Sequence, residues 1–319
     1  VFEVLSCVSP IKLSIMYLVK RPAISQFVPV RQAQYHFLQW GNADSSQRPL
    51  IMVHGWMDVA ASYQFMVDCL SESFLSERKI IAPDWRGFGL SSTGGVDNYW
   101  LDDYLADLDF FLEQVAPGQT IDLIGHSMGG NIAMHYCGVM PEKVHQLINL
   151  EGFGGPAAKA SQAPSKKSKW LKEMHAMYKG EIQLRPYATA DAVAQRLMKT
   201  NPRLPRDKAD WLAHQWAAPN AEGGWEILGD AGHKVVSAQL YRLDEALEIY
   251  RRISAPVLSV TASDDSLGQW WKGTFTLAQY QQRIEAVPQL RRAEVHDAGH
   301  MMHHDQPTEL AGLMEDFLA

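Results

Sequence analysis

The stretch "IDLIGHSMGGNIAMHY" (121–136) places one serine between a strand pattern and a helix pattern. A short apolar run precedes Ser127, and apolar residues recur at helical spacing after it. Gly125 and Gly129 stand two positions before and after the serine, which gives the pattern G-x-S-x-G. A strand-to-helix turn this tight leaves no room for a side chain at either of these two positions. We therefore predict a strained elbow at Ser127 that exposes its hydroxyl group.

Strand patterns and helix patterns alternate through the first half of the chain. The first strand pattern alternates apolar and polar residues, as an edge strand does, and those that follow are short buried runs. Helical spacing lies between them at 62–74 and 99–115. Such alternation predicts a mostly parallel, doubly wound sheet with helices on both faces. The strand patterns are "QAQYHFLQWG" (32–41), "LIMVHGW" (50–56), "KIIAPDWRGFG" (79–89), "TIDLIGHS" (120–127) and "VHQLINLEG" (144–152).

This alternation stops in the middle of the chain, where the pattern is mostly helical without a convincing strand. The strand pattern returns with "APVLSVTASDD" (255–265) and "RRAEVHDAGH" (291–300), before a terminal helix. We therefore predict an α/β core from residues 1–152 and 251–319, interrupted by a helical cap at 153–250. The tryptophans and methionines of the insert predict an apolar substrate group.

Charge and cysteine content exclude several classes of protein. A net charge of -7 and a pI near 5.9 argue against a nucleic-acid-binding protein, which normally has a basic face. The cysteines Cys7, Cys69 and Cys137 are widely spaced, and no pair forms a C-x-x-C motif. A disulfide framework or structural zinc site is therefore not expected, and a cytoplasmic location is the simplest interpretation.

The apolar N-terminus "VFEVLSCVSPIKLSIMYLVKRP" is interrupted by Glu3, Pro10 and Lys12. Its unbroken apolar stretches are shorter than the roughly 20 residues that span a bilayer. It also lacks the basic start and the small-residue cleavage site of a secretory signal. We therefore expect no membrane span here, and we expect Met16 to be the natural start.

A serine hydroxyl is a poor nucleophile at neutral pH, so Ser127 needs a base and a group that orients the base. His300 lies in "DAGHMMHHDQP", between the last strand pattern and the terminal helix. His303 and His304 follow closely, and His300 and His304 have the i, i+4 spacing of a metal-binding pair. Because no acidic ligand stands nearby on a helix, we expect no metal site, and these side chains are expected to face solvent or line the substrate pocket.

The residues leave the orienting carboxylate open. Asp264 and Asp265 follow the strand pattern 255–262, and Glu151 follows the strand pattern that ends at residue 150. A tetrahedral intermediate also needs N–H donors for its oxyanion. We expect these donors to be the backbone N–H groups of Met128 and Trp56, since Trp56 follows the buried run "LIMVHG".

Four motifs, in order and spacing, resemble those of the α/β-hydrolase superfamily. Within that superfamily, the chain is most similar to serine hydrolase-like proteins, including its insert and the "GFG" after Glu151. The motifs are "HGW" (54–56), "PDWRGFGLSS" (83–92), "GHSMGG" (125–130) and "AGH" (298–300).

The resemblance implies an eight-stranded doubly wound sheet, a helical cap and the chain order Ser…Asp…His. Carried over to this chain, Ser127 is the nucleophile, His300 the base and Asp265 the acid. Asp265 is preferred to Asp264 because the family usually places its aspartate three residues after a small residue, here Ala262. A serine at the elbow departs from the related dehalogenases and epoxide hydrolases, which argues against both of those activities.

These features predict a serine esterase that cleaves small to medium carboxylic esters through an acyl-enzyme on Ser127. The expected partner is a small-molecule ester, with no cofactor, no metal and no nucleic acid. A carbon–carbon bond hydrolase or a perhydrolase would use the same triad, and a ligand sensor would keep it without turnover. Fold and triad fix neither the substrate nor the oligomeric state.

Overall fold

The computed structural model describes residues 16–319. The predictions about the N-terminal segment, including Cys7 and the choice of Met16 as the start, fall mainly outside this range. Within it, Cys69 and Cys137 are free thiols. None of the helices in the described range has the length and hydropathy that a bilayer crossing requires.

One mixed sheet of eight strands forms the centre of the described chain, in the order β1-β2-β4-β3-β5-β6-β9-β10. The pairs β1–β2 and β2–β4 are antiparallel, and the other neighbours are parallel. The predicted mostly parallel eight-stranded sheet is thereby confirmed. The strands of the whole described chain are β1 (Ile24–Val30), β2 (Ala33–Gly41), β3 (Leu50–Val53), β4 (Lys79–Pro83), β5 (Ile121–His126), β6 (Val144–Leu150), β7 (Ala217–Pro219), β8 (Trp225–Ile227), β9 (Val257–Ala262) and β10 (Leu290–Val295).

The strand predicted as an edge, β2, is not at the edge. It lies between β1 and β4, and every residue of β1 pairs with it. The edge strand on this side of the sheet is β1, with the sequence "ISQFVPV", whose side chains are mostly exposed or half-buried. Alternation in β2 therefore reflects unequal burial of its two faces rather than an open edge.

Helices cover both faces of the sheet, as predicted. Successive strand residues point to opposite faces, so Ile51 and Val53 join one apolar cluster with α3, α4 and α10, whereas Leu50 and Met52 join another with α1, α2 and α12. The helices are α1 (Gln64–Val67), α2 (Glu72–Glu77), α3 (Leu101–Val115), α4 (Met128–Val139), α5 (Ala163–Tyr178), α6 (Ala190–Thr200), α7 (Arg206–Trp216), α8 (Leu243–Arg251), α9 (Ser266–Trp271), α10 (Leu277–Ile284), α11 (Met302–Asp305) and α12 (Pro307–Leu318).

The segment 153–250 contains the helices α5 to α8 and a small antiparallel sheet of β7 and β8. The sequence showed no convincing strand in this segment because strands of three residues are too short to form a recognisable pattern. Its last helix, α8, packs on α4 of the core, where a Cβ on Gly138 would lie 2.2 Å from the Ile249 carbonyl oxygen. The extent of the cap at 153–250 stays a prediction.

Candidate active site

Ser127 forms the predicted elbow between β5 and α4. Its backbone has φ +53° and ψ -115°, a conformation that is strained for a residue with a side chain. The glycines of the motif are required by close backbone approach. A Cβ on Gly125 would lie 2.4 Å from the Gly129 carbonyl oxygen, and one on Gly129 would lie 2.3 Å from the Val53 carbonyl oxygen.

The elbow is fixed by its backbone hydrogen bonds, which leave the serine hydroxyl available. The Ser127 N–H donates to the Leu150 carbonyl oxygen (2.8 Å), and its own carbonyl accepts from the Asn131 N–H (3.0 Å). The hydroxyl makes no capping hydrogen bond to α4. The N–H of Met128 belongs to the first turn of α4, whose N–H groups have no intrahelical acceptor.

The loop after β3 passes directly beside the serine. A Cβ on Gly55 would lie 3.1 Å from Ser127 Cβ. The ring of the buried His54 holds this loop: the Trp85 N–H donates to His54 Nε2 (2.9 Å), so Nδ1 carries the hydrogen and donates to the Gly55 carbonyl oxygen (2.7 Å). The roles of Trp56 and Met128 N–H as oxyanion donors stay predictions.

The aspartate of "PDWRGFG" fastens the same loop to the loop after β4. One oxygen of Asp84 accepts from the Ala60 N–H (2.7 Å). The other accepts from the Leu90 N–H (2.9 Å) and from His36 Nδ1–H (2.7 Å). This motif therefore positions the loop beside Ser127 and has a structural role.

His300 is hydrogen-bonded to Glu151. The distance from His300 Nδ1 to Glu151 Oε2 is 2.7 Å, and the other carboxylate oxygen accepts from the Ala262 N–H (2.9 Å). Because an ionised carboxylate only accepts, Nδ1 carries the hydrogen and Nε2 has the lone pair of a base. The Glu151 side chain is 1% exposed, and that of His300 is 19% exposed.

The expectation that Asp265 orients His300 is therefore corrected. Asp265 precedes α9 and accepts from the Gly268 N–H (2.8 Å), so its carboxylate is the N-cap of that helix. The carboxylate of Asp264 forms an exposed ion pair with Arg203 at 2.6 Å. Asp265, three positions after the small Ala262, caps the start of α9 instead of orienting the histidine.

Glu151 reaches the histidine because β6 lies between β5 and β9 in the sheet. It follows β6 directly, at the carboxyl edge where the loops of Ser127 and His300 also gather. Its backbone has φ +50°, the left-handed region, which redirects the chain after the strand. The sequence signal for Glu151 was its place at the end of a buried strand, which made it the third candidate.

Burial shifts the pKa of both members of this pair. It raises the pKa of Glu151 to about 7, against the opposing effect of the Ala262 N–H bond. Burial and the neighbouring His303 lower the pKa of His300 to about 3. A carboxylate beside a neutral imidazole carries one buried negative charge, so the pair takes up its first proton near pH 7.

The side chain of Trp270 borders the pair on the solvent side. The rings of Trp270 and His300 pack edge to face, and their centroids are 4.1 Å apart. Trp270 remains 48% exposed. Trp56, in the loop beside Ser127, is also exposed. The insert tryptophans Trp211 and Trp225 instead pack into a separate apolar cluster. The aromatic contact to His300 therefore comes from α9 of the core.

His303 and His304 are buried, with 0% and 3% of their surface exposed. They therefore do not face solvent, because α11 packs beneath the loop that follows β3, and the alternative that they line the substrate pocket stays a prediction. The ring of His303 lies against Tyr63, and that of His304 against Phe65.

Comparison with known proteins identifies the family of this chain. The family model described as "alpha/beta hydrolase fold" matches residues 48–307. The chain belongs to the α/β-hydrolase superfamily. It is similar to a serine hydrolase-like protein of Danio rerio, with 26% identity over 305 residues, covering 93% of this chain and 89% of that protein. A serine hydrolase-like protein of Homo sapiens is 30% identical over 115 residues, 35% of this chain and 52% of that one.

Solved structures share the fold of this α/β-hydrolase. The thioesterase domain from the curacin biosynthetic pathway has a TM-score of 0.76 at 22% identity, covering 92% of this chain and 99% of that domain. An esterase from Mycobacterium tuberculosis has a TM-score of 0.67 at 18% identity, covering 93% of this chain and 91% of that one. The family match and the serine hydrolase-like relatives support a hydrolase activity.

Proposed function

We propose that this α/β-hydrolase is a serine esterase that cleaves small to medium carboxylic esters through an acyl-enzyme on Ser127. The observation that best supports this proposal is the 2.7 Å hydrogen bond between His300 and the buried Glu151, on the sheet edge where Ser127 forms its elbow. A strained serine, a base and a buried carboxylate together are the parts that nucleophilic acyl transfer needs.

In the proposed reaction, Ser127 Oγ attacks the ester carbonyl carbon while its proton passes to His300 Nε2. Glu151 stabilises the imidazolium that forms, and the N–H groups of Trp56 and Met128 donate to the oxyanion. Collapse of the intermediate breaks the bond to the alcohol, which leaves with the proton from His300. A water molecule, deprotonated by His300, then attacks the acyl-enzyme; the bond to Ser127 Oγ breaks, His300 returns the proton to that oxygen, and the acid is released.

The surroundings of the site favour an apolar acyl or alcohol group. Exposed indole rings such as those of Trp270 and Trp56 provide apolar contact area with a polar edge. Two proteins with similar folds carry the titles esterase and thioesterase, and both titles name cleavage of an acyl group. We therefore place the substrate among carboxylic esters.

The test is turnover of p-nitrophenyl acetate and p-nitrophenyl butyrate by the wild-type protein and two variants. Ser127→Ala should lower kcat by at least about 10⁴-fold, because no other nucleophile replaces the hydroxyl. Ser165→Ala, which removes an exposed serine of α5, should keep wild-type turnover. Circular dichroism checks that both variants fold.

Wild-type labelling by a fluorophosphonate, located by mass spectrometry, should map to Ser127. Near-normal turnover by folded Ser127→Ala would contradict the nucleophile. A wild-type protein that hydrolyses no member of an ester panel would contradict the esterase activity and favour a ligand sensor.

A further inference from the structure

Three side chains from separate segments meet in the interior beside the candidate catalytic pair. Asp58 comes from the loop after β3, His126 ends β5, and His303 lies in α11. One carboxylate oxygen and one nitrogen from each ring all lie within 4.8 Å of one another. The exposed fractions of the three residues are 6%, 1% and 0%, so the cluster is shielded from solvent.

Four buried side-chain atoms of this cluster have no hydrogen-bond partner among residues 16–319. They are Asp58 Oδ2, His126 Nδ1 and both ring nitrogens of His303. The distance from His303 Nε2 to Asp58 Oδ2 is 3.8 Å, too long for a hydrogen bond. Buried polar atoms are nearly always satisfied, so several unsatisfied atoms within one cluster point to a shared ligand.

Hydrogen bonds on the far side of each group orient these atoms. His126 Nε2 lies 2.8 Å from the His300 carbonyl oxygen, which can only accept. Nε2 therefore carries the hydrogen, and the lone pair of Nδ1 is left without a donor in the described part of the chain. Asp58 Oδ1 accepts from the Val59 N–H (2.9 Å) and the Ser62 hydroxyl, which leaves Oδ2 free. Metal-binding histidines and carboxylates typically have such outer hydrogen bonds.

We propose that Asp58, His126 and His303 bind one divalent first-row transition-metal ion, with Zn²⁺ as the expected ion. Two imidazole nitrogens and one carboxylate oxygen suit Zn²⁺, whereas Ca²⁺ and Mg²⁺ prefer all-oxygen ligands. Ligand atoms in tetrahedral zinc sites lie about 3.4 Å apart. Asp58 and His303 are 3.8 Å apart, and all three ligand atoms lie within 4.8 Å of one another, so the side chains would have to move closer together to bind the ion.

The sequence predicted no metal site because it offered only the pair His300 and His304, without an acid. The acid comes from the loop after β3, which only the fold brings to α11. An ion at this site would bind His126, the residue before Ser127, whose other ring nitrogen is hydrogen-bonded to the backbone of His300. The proposal does not depend on ester hydrolysis, because metal binding is measured without turnover.

The experiment uses the full chain without an affinity tag, stripped of metal with a chelator and titrated with Zn²⁺ against a chromophoric chelator. Wild type and the control His296→Gln, which removes an exposed histidine, should bind one equivalent of Zn²⁺ tightly. Asp58→Asn and His303→Gln should weaken that affinity by at least about tenfold, since losing a ligand costs no less than losing an outer hydrogen bond.

A second measurement on the wild-type protein covers variants that fail to fold. Zn²⁺ should shift the ring ¹⁵N resonances of His126 and His303, and Co²⁺ should give the visible absorption of a tetrahedral site. Wild type that binds no equivalent tightly would overturn the proposal. The same holds if folded Asp58→Asn and His303→Gln keep wild-type affinity, if His296→Gln loses it, or if the resonances of His126 and His303 do not move.

Discussion

Glu151 and Asp265 show how backbone geometry decides between two carboxylates. Both follow a parallel strand at the same edge of the sheet. Glu151, at φ +50°, directs its carboxylate to His300 and to the Ala262 N–H. Asp265 is used by the first turn of α9. A carboxylate within reach of free backbone N–H groups at a helix start satisfies them first.

We predict that Glu151→Gln lowers kcat on p-nitrophenyl butyrate by about 10³- to 10⁴-fold, because an amide no longer selects the Nδ1–H tautomer of His300. Asp265→Asn is the matched control and should stay within about fivefold of wild type, since asparagine caps a helix as well as aspartate does. A crippled Asp265→Asn with a nearly normal Glu151→Gln would reverse this assignment.

The proton affinity of the pair sets the expected pH dependence. Burial raises the pKa of Glu151 to about 7, and the carboxylates of Asp264 and Asp265 add to this shift. As the pH falls through about 7, the pair takes up a proton and loses the free base, so kcat/KM should decline. In Glu151→Gln the remaining limb should move to lower pH, because burial lowers the pKa of His300.

The pH profile of kcat/KM for wild type, Glu151→Gln and Asp265→Asn measures this effect. Asp265→Asn should keep a limb close to that of wild type. A wild-type profile that stays flat down to about pH 5 would show that the pair does not titrate as its burial requires.

At the scale of elements, the unit of β5, elbow and α4 depends on contact between backbones. Gly129 places the first turn of α4 against the end of β3, where the Val53 and His54 carbonyl oxygens lie 2.3 Å and 2.5 Å from a hypothetical Cβ. No side-chain rotation relieves such a contact, because both partners are main chain. The glycines therefore serve packing as well as access to the serine.

We predict that Gly129→Ala lowers the free energy of unfolding by about 1–3 kcal/mol or prevents folding. Gly312→Ala, in the middle of α12, is the matched control, because a Cβ there meets nothing within 4 Å. Alanine should stabilise that helix by about 0.5–1 kcal/mol. Urea unfolding of both variants measures the difference, and equal stability would contradict the contact.

The elements that could be predicted from sequence are those with local signals. The apolar run and glycines around Ser127 specify strand, turn and helix within one short segment. The direction of Asp265 depends on where α9 begins, and the burial of His303 depends on α11 packing under a distant loop. Neither of these contacts leaves a periodic pattern in the chain, and the three-residue strands β7 and β8 are too short to form one.

At the scale of the whole molecule, the insert and the core share an apolar cluster. Phe65 of α1 is 1% exposed and packs on Trp211 of α7 and on His304 of α11. Val193 and Leu212 of the insert belong to the same cluster. The insert therefore has no apolar core of its own that is separate from the rest of the chain.

We predict one cooperative unfolding transition for core and insert, with the calorimetric enthalpy equal to the van't Hoff enthalpy. Phe65→Ala should lower the free energy of unfolding by about 3–5 kcal/mol without splitting the transition. Phe110→Ala, on the exposed side of α3, should change it by less than about 0.5 kcal/mol. Two separate calorimetric peaks would contradict a shared core.

Glu151, which bonds His300, follows β6 rather than β9, and this position has a consequence for protein engineering. Among residues 16–319, the imidazole of His300 bonds to Glu151 and not to the loop between β9 and α9, yet α9 brings Trp270 against that ring. A library that randomises the solvent-facing positions of α9 would reshape the wall next to the imidazole while Glu151 stays in place. Under the proposed mechanism, the α9 residues that contact the substrate follow β9 and the carboxylate that orients the base follows β6, so the first can be varied without changing the second.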